Sequence, residues 1–164
     1  MANSFIVGDA KNKIIKELIK DEAIIKGIDP INIGLHNSEK LINKYIFNFS
    51  QNPNTIHDVE TFITVETNIN NRHFGNNRYV DSTVEIWIIS HEVHMVVDNF
   101  TKVNENRNDY LSRLIDNKFN GSRNIGIGTL ELTANIEGSI QHSWLYRRLI
   151  FEVIDINNSF CKNR

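Results

Sequence analysis

The arrangement in this chain closest to acid–base or metal chemistry is His91-Glu92-Val93-His94. A zinc protease places two histidines four apart on one helical turn, with a glutamate directly after the first. Here the spacing is three, at the end of a strand-like pattern, where residues three apart point to opposite faces. No third ligand lies nearby in sequence, so the spacing supports two histidines at a strand end or in a loop. The run Gly121-Ser122-Arg123-Asn124-Ile125-Gly126-Ile127-Gly128 is glycine-rich but leads from helix to strand. A phosphate cradle leads from strand into helix, so that helix N-terminal amides face the anion. This run therefore reads as a flexible connection. Cys161 lies in a polar tail, whereas a nucleophilic cysteine needs a held base and an ordered pocket. No serine sits in a Gly-x-Ser-x-Gly elbow. Glu60, Glu66, Glu85 and Glu131 can meet across strands, but solvated strand positions explain them without a hydrolytic cleft. Arg147 and Arg148 are adjacent in a strand pattern and so face opposite ways. One of them falls on an apolar face and needs a carboxylate there, which suggests an interface ion pair. These residues assign no catalytic, metal or cofactor site, and the expectation is a protein that is not an enzyme. A small enzyme using His91, His94 or His142 as a base, and an RNA-binding module, are the competing readings. The aromatic-basic sheet signature of an RNA-recognition domain is missing.

The elements that position these residues follow from hydrophobic periodicity. Ile14, Ile15, Leu18, Ile19 and Ile25 recur at helical spacing, which predicts a helix from Asp9 to Lys26, stopped by Gly27 and Asp29-Pro30. Leu41, Ile42, Tyr45, Ile46 and Phe49 predict a second helix from Asn37 or Ser38, ended by Gln51-Asn52-Pro53-Asn54. Val59 to Ile69 and Tyr79 to Ser90 alternate with period two and predict a hairpin across the loop Asn70 to Asn77. A helix entered at Asn104-Glu105-Asn106 is expected over Arg107 to Phe119, with Gly121 as its stop. Strands Gly128 to Thr133 and Trp144 to Asp155 close the chain, joined near Glu137-Gly138-Ser139. The predicted fold is α+β: one domain over residues 1–164, with N-terminal helices at 9–49, sheet and helix at 59–156, and a polar tail at 157–164. Its sheet is four-stranded and mainly antiparallel, with helices packed on one face. A length of 164 residues suits a single core, and one cysteine excludes an internal disulfide framework. A net charge of −2 leaves no overall electrostatic footprint for nucleic acid. No apolar run reaches the ~20 residues that a membrane span needs, and Met1 to Phe5 lacks a signal-peptide layout.

The closing strand is apolar on both sides. Leu145, Leu149, Phe151 and Val153 lie on one, and Trp144, Tyr146, Ile150, Ile154 and Ile156 on the other, while Phe62, Trp87 and Ile89 add to whichever face is less covered by helices. Burying each Leu or Ile is worth ~1.5–3 kcal/mol, so this second face calls for a cover. The N-terminal helices can wrap round to supply it, or a partner chain can.

From Thr83 onward the element order resembles the tail terminator (tail completion, neck) proteins of long-tailed bacteriophages. The matching features are the strand Thr83 to Ser90, the helix Arg107 to Phe119, the strand Gly128 to Thr133, and the terminal strand Tyr146 to Asp155 with its pattern Arg-Arg-Leu-Ile-Phe-Glu-Val-Ile-Asp. The resemblance rests on order and pattern and matches the N-terminal helices least, which leaves a related head-closure protein open. It implies a small, non-enzymatic structural protein of the virion, assembled in the host cytoplasm without cofactors. Such a protein forms a hexameric ring that caps the tail tube and joins it to the neck. Its implied partners are other copies of itself, a tail tube protein and a neck or head-closure protein, with no membrane and no specific nucleic acid. On this reading the interface candidates are Trp87, Ile89, Tyr146, Arg147 and Arg148 on the sheet, with Arg72, Phe74 and Arg78 around a loop that projects toward a neighbour.

Overall fold

The computed structural model describes residues 4–29, 35–56, 60–70, 81–96, 105–141 and 143–154. Its centre is a five-stranded sheet of order β1-β2-β3-β5-β4. The strands are β1 (Ile46–Phe47), β2 (Thr61–Asn70), β3 (Asp81–His91), β4 (Thr129–Ile140) and β5 (Trp144–Ile154). β1 runs parallel to β2, and every other neighbouring pair is antiparallel. Among the described residues three α-helices accompany the sheet: α1 (Ser4–Leu18), α2 (Glu22–Ile28) and α3 (Arg107–Phe119).

The fifth strand corrects the expected count of four. It comes from the segment read as a second helix, where Tyr45, Ile46 and Phe47 are all buried. Three consecutive buried residues cannot share one helical stripe, but an edge strand with both sides covered accommodates them. The segment begins as a 3₁₀ turn at Leu35–Leu41 and reverses at Asn43 in the left-handed region (φ 61°). Tyr45 O then accepts from Ile63 N at 2.8 Å, which locks the short strand to β2.

The first predicted helix divides in two. On one continuous helix Ile19 and Ile24 would stand about 140° apart, yet both are buried. The break at Asp21 resolves this conflict. Its carboxylate caps α2 by accepting from Ala23 N and Ile24 N, and its other oxygen pairs with Lys118 Nζ of α3 at 3.2 Å. The junction of α1 and α2 is thereby anchored to α3. Gly27 of α2 meets α3 closely, since a Cβ there would lie 2.5 Å from Leu111 Cδ2.

The third correction concerns the β4–β5 turn. Glu137-Gly138-Ser139, expected to be the connection, lies within β4, and the hairpin closes beyond Ile140, which pairs with Trp144. Gly138 is a strand residue opposite Tyr146, whose ring occupies the space a side chain would fill. A Cβ at 138 would lie 2.6 Å from Tyr146 Oη. A register shift between Leu132 and Ala134 leaves Thr133 as the extra residue. The helix α3 follows the expected bounds. Asn106 caps it by accepting from Asp109 N, and Gly121 follows its end at φ 76°.

Pairing register sorts the sheet into two faces. One carries Ile63, Val65, Val84, Ile86, Ile88, Leu149 and Phe151, all fully buried. This is the face of α3, because Asn108 bonds Ser90 and Leu145, and Asp109 pairs with Arg147. The other carries Phe62, Thr64, Glu85, Trp87, Ile89, Tyr146, Arg148 and Ile150.

Candidate functional site

The far face of the sheet covers part of itself. Near β1, Phe62 is enclosed by edge-on contacts with Phe47 and Trp144, at ring-centroid distances of 5.8 Å each. The connection from β1 to β2 reaches across this end of the sheet, where Asn54 donates to the side chain of Gln141 beyond β4. In the middle, Arg148 Nε and Nη2 both donate to Glu85 Oε2, at 2.9 and 2.7 Å. Glu85 Oε1 accepts from Asn68 Nδ2 at 3.0 Å. The guanidinium stands 4.8 Å over the Trp87 ring, and Trp87 packs on Tyr146 with centroids 5.0 Å apart. Glu85 is buried, so its charge is held by these donors rather than by water. Trp87 Nε1 is also buried and has no acceptor among the described residues.

Toward β4 the cover gives out. Ile136 and Ile154 are 42% and 41% exposed, and Ile150 is half-buried beside them. Ile136 pairs with Arg148, and Ile150 with Glu85, so these side chains continue the Trp87–Tyr146–Arg148 surface without a gap. β4 is also the last strand of the sheet among the described residues, and its outer backbone groups at Leu130 and Leu132 bond the 120–122 segment rather than another strand. Chemically, the region offers exposed apolar side chains and a fixed charge pair beside a strand edge that residues 120–122 cover only at Leu130 and Leu132 among the described residues.

Of the residues singled out in the sequence, Trp87, Tyr146 and Arg148 come together here. Ile89 belongs to the same face but is buried. Arg147 lies on the opposite face, where it pairs with Asp109 and, at 3.3 Å, with Glu137. Both arginines therefore find carboxylates within one chain. Arg72, Phe74 and Arg78 lie outside the described residues, as do His142, Ile156 and Cys161. Ile136 was missed because Gly138 reads as a turn residue and hides the alternation through the second half of β4.

A second constellation was not legible from sequence. At the end of β3, Asn108 Nδ2 donates to Leu145 O, which directs its Oδ1 to accept from Ser90 Oγ at 2.7 Å. Ser90 in turn accepts from Thr61 Oγ1 at 2.9 Å. Thr61 has spent its proton, so its 2.7 Å contact with His94 Nδ1 requires the histidine to donate. The chain of bonds thus fixes the Nδ1–H tautomer and leaves His94 Nε2 to titrate. That nitrogen stands 3.5 Å from both Asp29 Oδ2 and Glu60 Oε2. Arg107 bridges the same corner, with Nε donating to His94 O and Nη1 to Gly27 O, both at 2.6 Å. Burial, then the Arg107 charge, hold the His94 pKa below its ordinary value, against the pull of Glu60 and Asp29. Thr61 and Ser90 are 1% and 0% exposed, so this hydroxyl–imidazole pair presents no nucleophile to a substrate.

The two histidines that looked like a pair are held apart. His91 accepts from Val93 N and sets its ring edge-on to Trp144, on the far face. Among the described residues no group of three or more His, Cys, Asp or Glu side chains could hold a metal ion. Among the described residues no helix is long and apolar enough to cross a membrane.

These features define an α+β protein whose sheet is clad by helices on one face and shows a partly apolar, charge-pinned surface on the other. A family model described as YomW matches residues 12–153, and the chain belongs to that family, which is phage-gene-like. No curated protein and no solved structure shows a significant match.

Proposed function

We propose that this chain is a structural component of a phage virion, a ring-forming protein at the head–tail junction that caps the tail tube and joins it to the neck. The observation that carries the reading is the far face of β5 and β4. There Trp87, Tyr146, Ile150 and Ile136 form one surface that the described helices do not cover, with Ile154 exposed beyond the Glu131–Glu152 pair. Membership of a phage-gene-like family supports the setting, and the element order from Thr83 onward supports the position in the particle. A ring needs one surface that meets a neighbour and another that meets the tube end. The Glu85–Arg148 pair gives such a contact an orientation that aliphatic side chains alone do not provide.

Sedimentation equilibrium and negative-stain imaging test this, with the protein alone and mixed with purified tail tubes. The expected result is a ring of about six times 19.0 kDa, free or on the tube end, and its loss in Ile136→Glu. A chain that stays monomeric at all concentrations and ignores tail tubes would overturn the proposal. The same follows if Ile136→Glu binds the tube end as well as the parent protein.

A further inference from the structure

The two halves of the β4 edge differ. In the first, the backbone groups that point away from β5 are taken up by the segment after α3. Leu130 N donates to Ser122 O, Gly121 N donates to Leu130 O, and Leu132 N donates to Asn120 Oδ1. No described segment bonds the second half, 134–140, on that side. Nor does this half carry the usual guards of an exposed edge. It has no Lys, Arg or Pro, and its one charge, Glu137, is paired with Arg147 of the same chain. We propose that this stretch pairs with itself: two free copies of the chain join through 134–138 as antiparallel strands, about a two-fold axis at Ile136.

The backbone sets the register. In an antiparallel ladder, successive residues bond alternately to one side and the other. Leu130 and Leu132 turn outward, and Thr133 is an extra residue, so the alternation steps by one. Asn135, Glu137 and Ser139 therefore turn outward. An axis at Ile136 sets Asn135 of each copy opposite Glu137 of the other, and each of these two pairs exchanges two backbone bonds.

The side chains agree with this register on both faces. On the α3 face, Arg147 Nη1 donates to Asn135 Oδ1 at 3.4 Å, and Arg147 Nη2 lies 3.3 Å from Glu137 Oε2. Asn135 Nδ2 is then directed to donate to Glu137 of the second copy, a side chain 76% exposed in the single chain. On the far face, the exposed Ile136 meets its own copy at the closely spaced position of the ladder. Other axes fit worse. One at Glu137 opposes two like charges. One at Ala134 or Asn135 drives the second copy against the 120–122 segment. One at Gly138 runs it past the β4–β5 turn, where Asn54 is bonded to Gln141.

This pair belongs to the chain away from any tail tube and does not depend on the ring proposed above. It buries Ile136, so it must part before that side chain can serve a ring contact.

The test uses the whole protein without tail tubes, by sedimentation velocity between about 1 and 500 μM and by mild oxidative crosslinking. The expected result is a monomer–dimer equilibrium. Glu137→Pro removes an outward amide and keeps the bonds to β5, so it should raise the dimer Kd about tenfold or more, two backbone bonds being lost per pair. In a Cys161→Ser background, Ile136→Cys should crosslink to its own copy, because facing Cα atoms at such a position stand about 4.5 Å apart, within disulfide reach. Asn135→Cys faces Glu137 instead and should crosslink far less. A parent protein that stays monomeric, or that forms only larger rings, overturns the proposal. So does a dimer that Glu137→Pro leaves intact. If that variant fails to fold, the crosslinks decide: Asn135→Cys linking as well as Ile136→Cys overturns the register and the proposal with it.

Discussion

Replacing Arg148 by Met tests whether the far face depends on its buried charge pair. The substitution keeps much of the side-chain volume but removes both donors to Glu85 Oε2. Glu85 is 7% exposed and would keep only Asn68 as a donor. Removing one partner of a fully buried pair costs about 3–5 kcal/mol. The Arg148 side chain is 31% exposed, so water can reach the vacated site, and we take a lower figure of about 2–3 kcal/mol. That corresponds to a melting temperature lower by about 4–12 °C for a chain of this length. Adding Glu85→Leu removes the stranded carboxylate, and Asn68 is exposed and can turn to water. The double variant should return to within about 1 kcal/mol of the parent, the remainder being the lost cation–π contact with Trp87. Urea unfolding of the four proteins measures the coupling directly, provided the slopes agree. A double variant as unstable as the sum of the two singles would refute the claim that Glu85 is costly without Arg148.

Two further substitutions test other parts of the packing. Gly27→Ala would drive a methyl group to within 2.5 Å of Leu111 Cδ2 and should cost about 1–3 kcal/mol, read as a lower midpoint in urea. Ser90→Ala removes the middle of the buried polar chain and takes away the acceptor of the Thr61 hydroxyl proton and the donor to Asn108 Oδ1. A loss of about 1–3 kcal/mol is expected by the same assay, and a neutral result would mean that the chain of bonds is not intact.

How much of this was legible in the sequence depended on whether one residue pattern had one explanation. The two-sided apolar character of β5 was plain, because Leu145 to Ile154 alternates between two sets that are both hydrophobic. The helix α3 was equally plain, with Asn106 before it and Gly121 behind it. Tyr45, Ile46 and Phe47 misled because helical spacing and a short buried strand use the same residues here, and only pairing with Ile63 and Thr64 decides. Asp21 misled because an N-cap inside a long apolar pattern looks like a surface residue of one helix. Gly138 signals a turn in sequence, while its physical reason is a tyrosine ring on the facing strand. The His94 corner was illegible because Asp29, Thr61, His94 and Arg107 lie far apart in the chain, and nothing local marks them as partners.

The two margins of the sheet are unequal. One ends in a strand of 12 residues and the other in a strand of two. A β-layer that ran on from copy to copy, margin to opposite margin, would need comparable lengths on each side. This molecule lacks that match, so any closed circle it builds must be held by side chains meeting across surfaces. A shared ladder of backbone bonds could join β4 to β4 only in a two-fold pair, which ends growth at two.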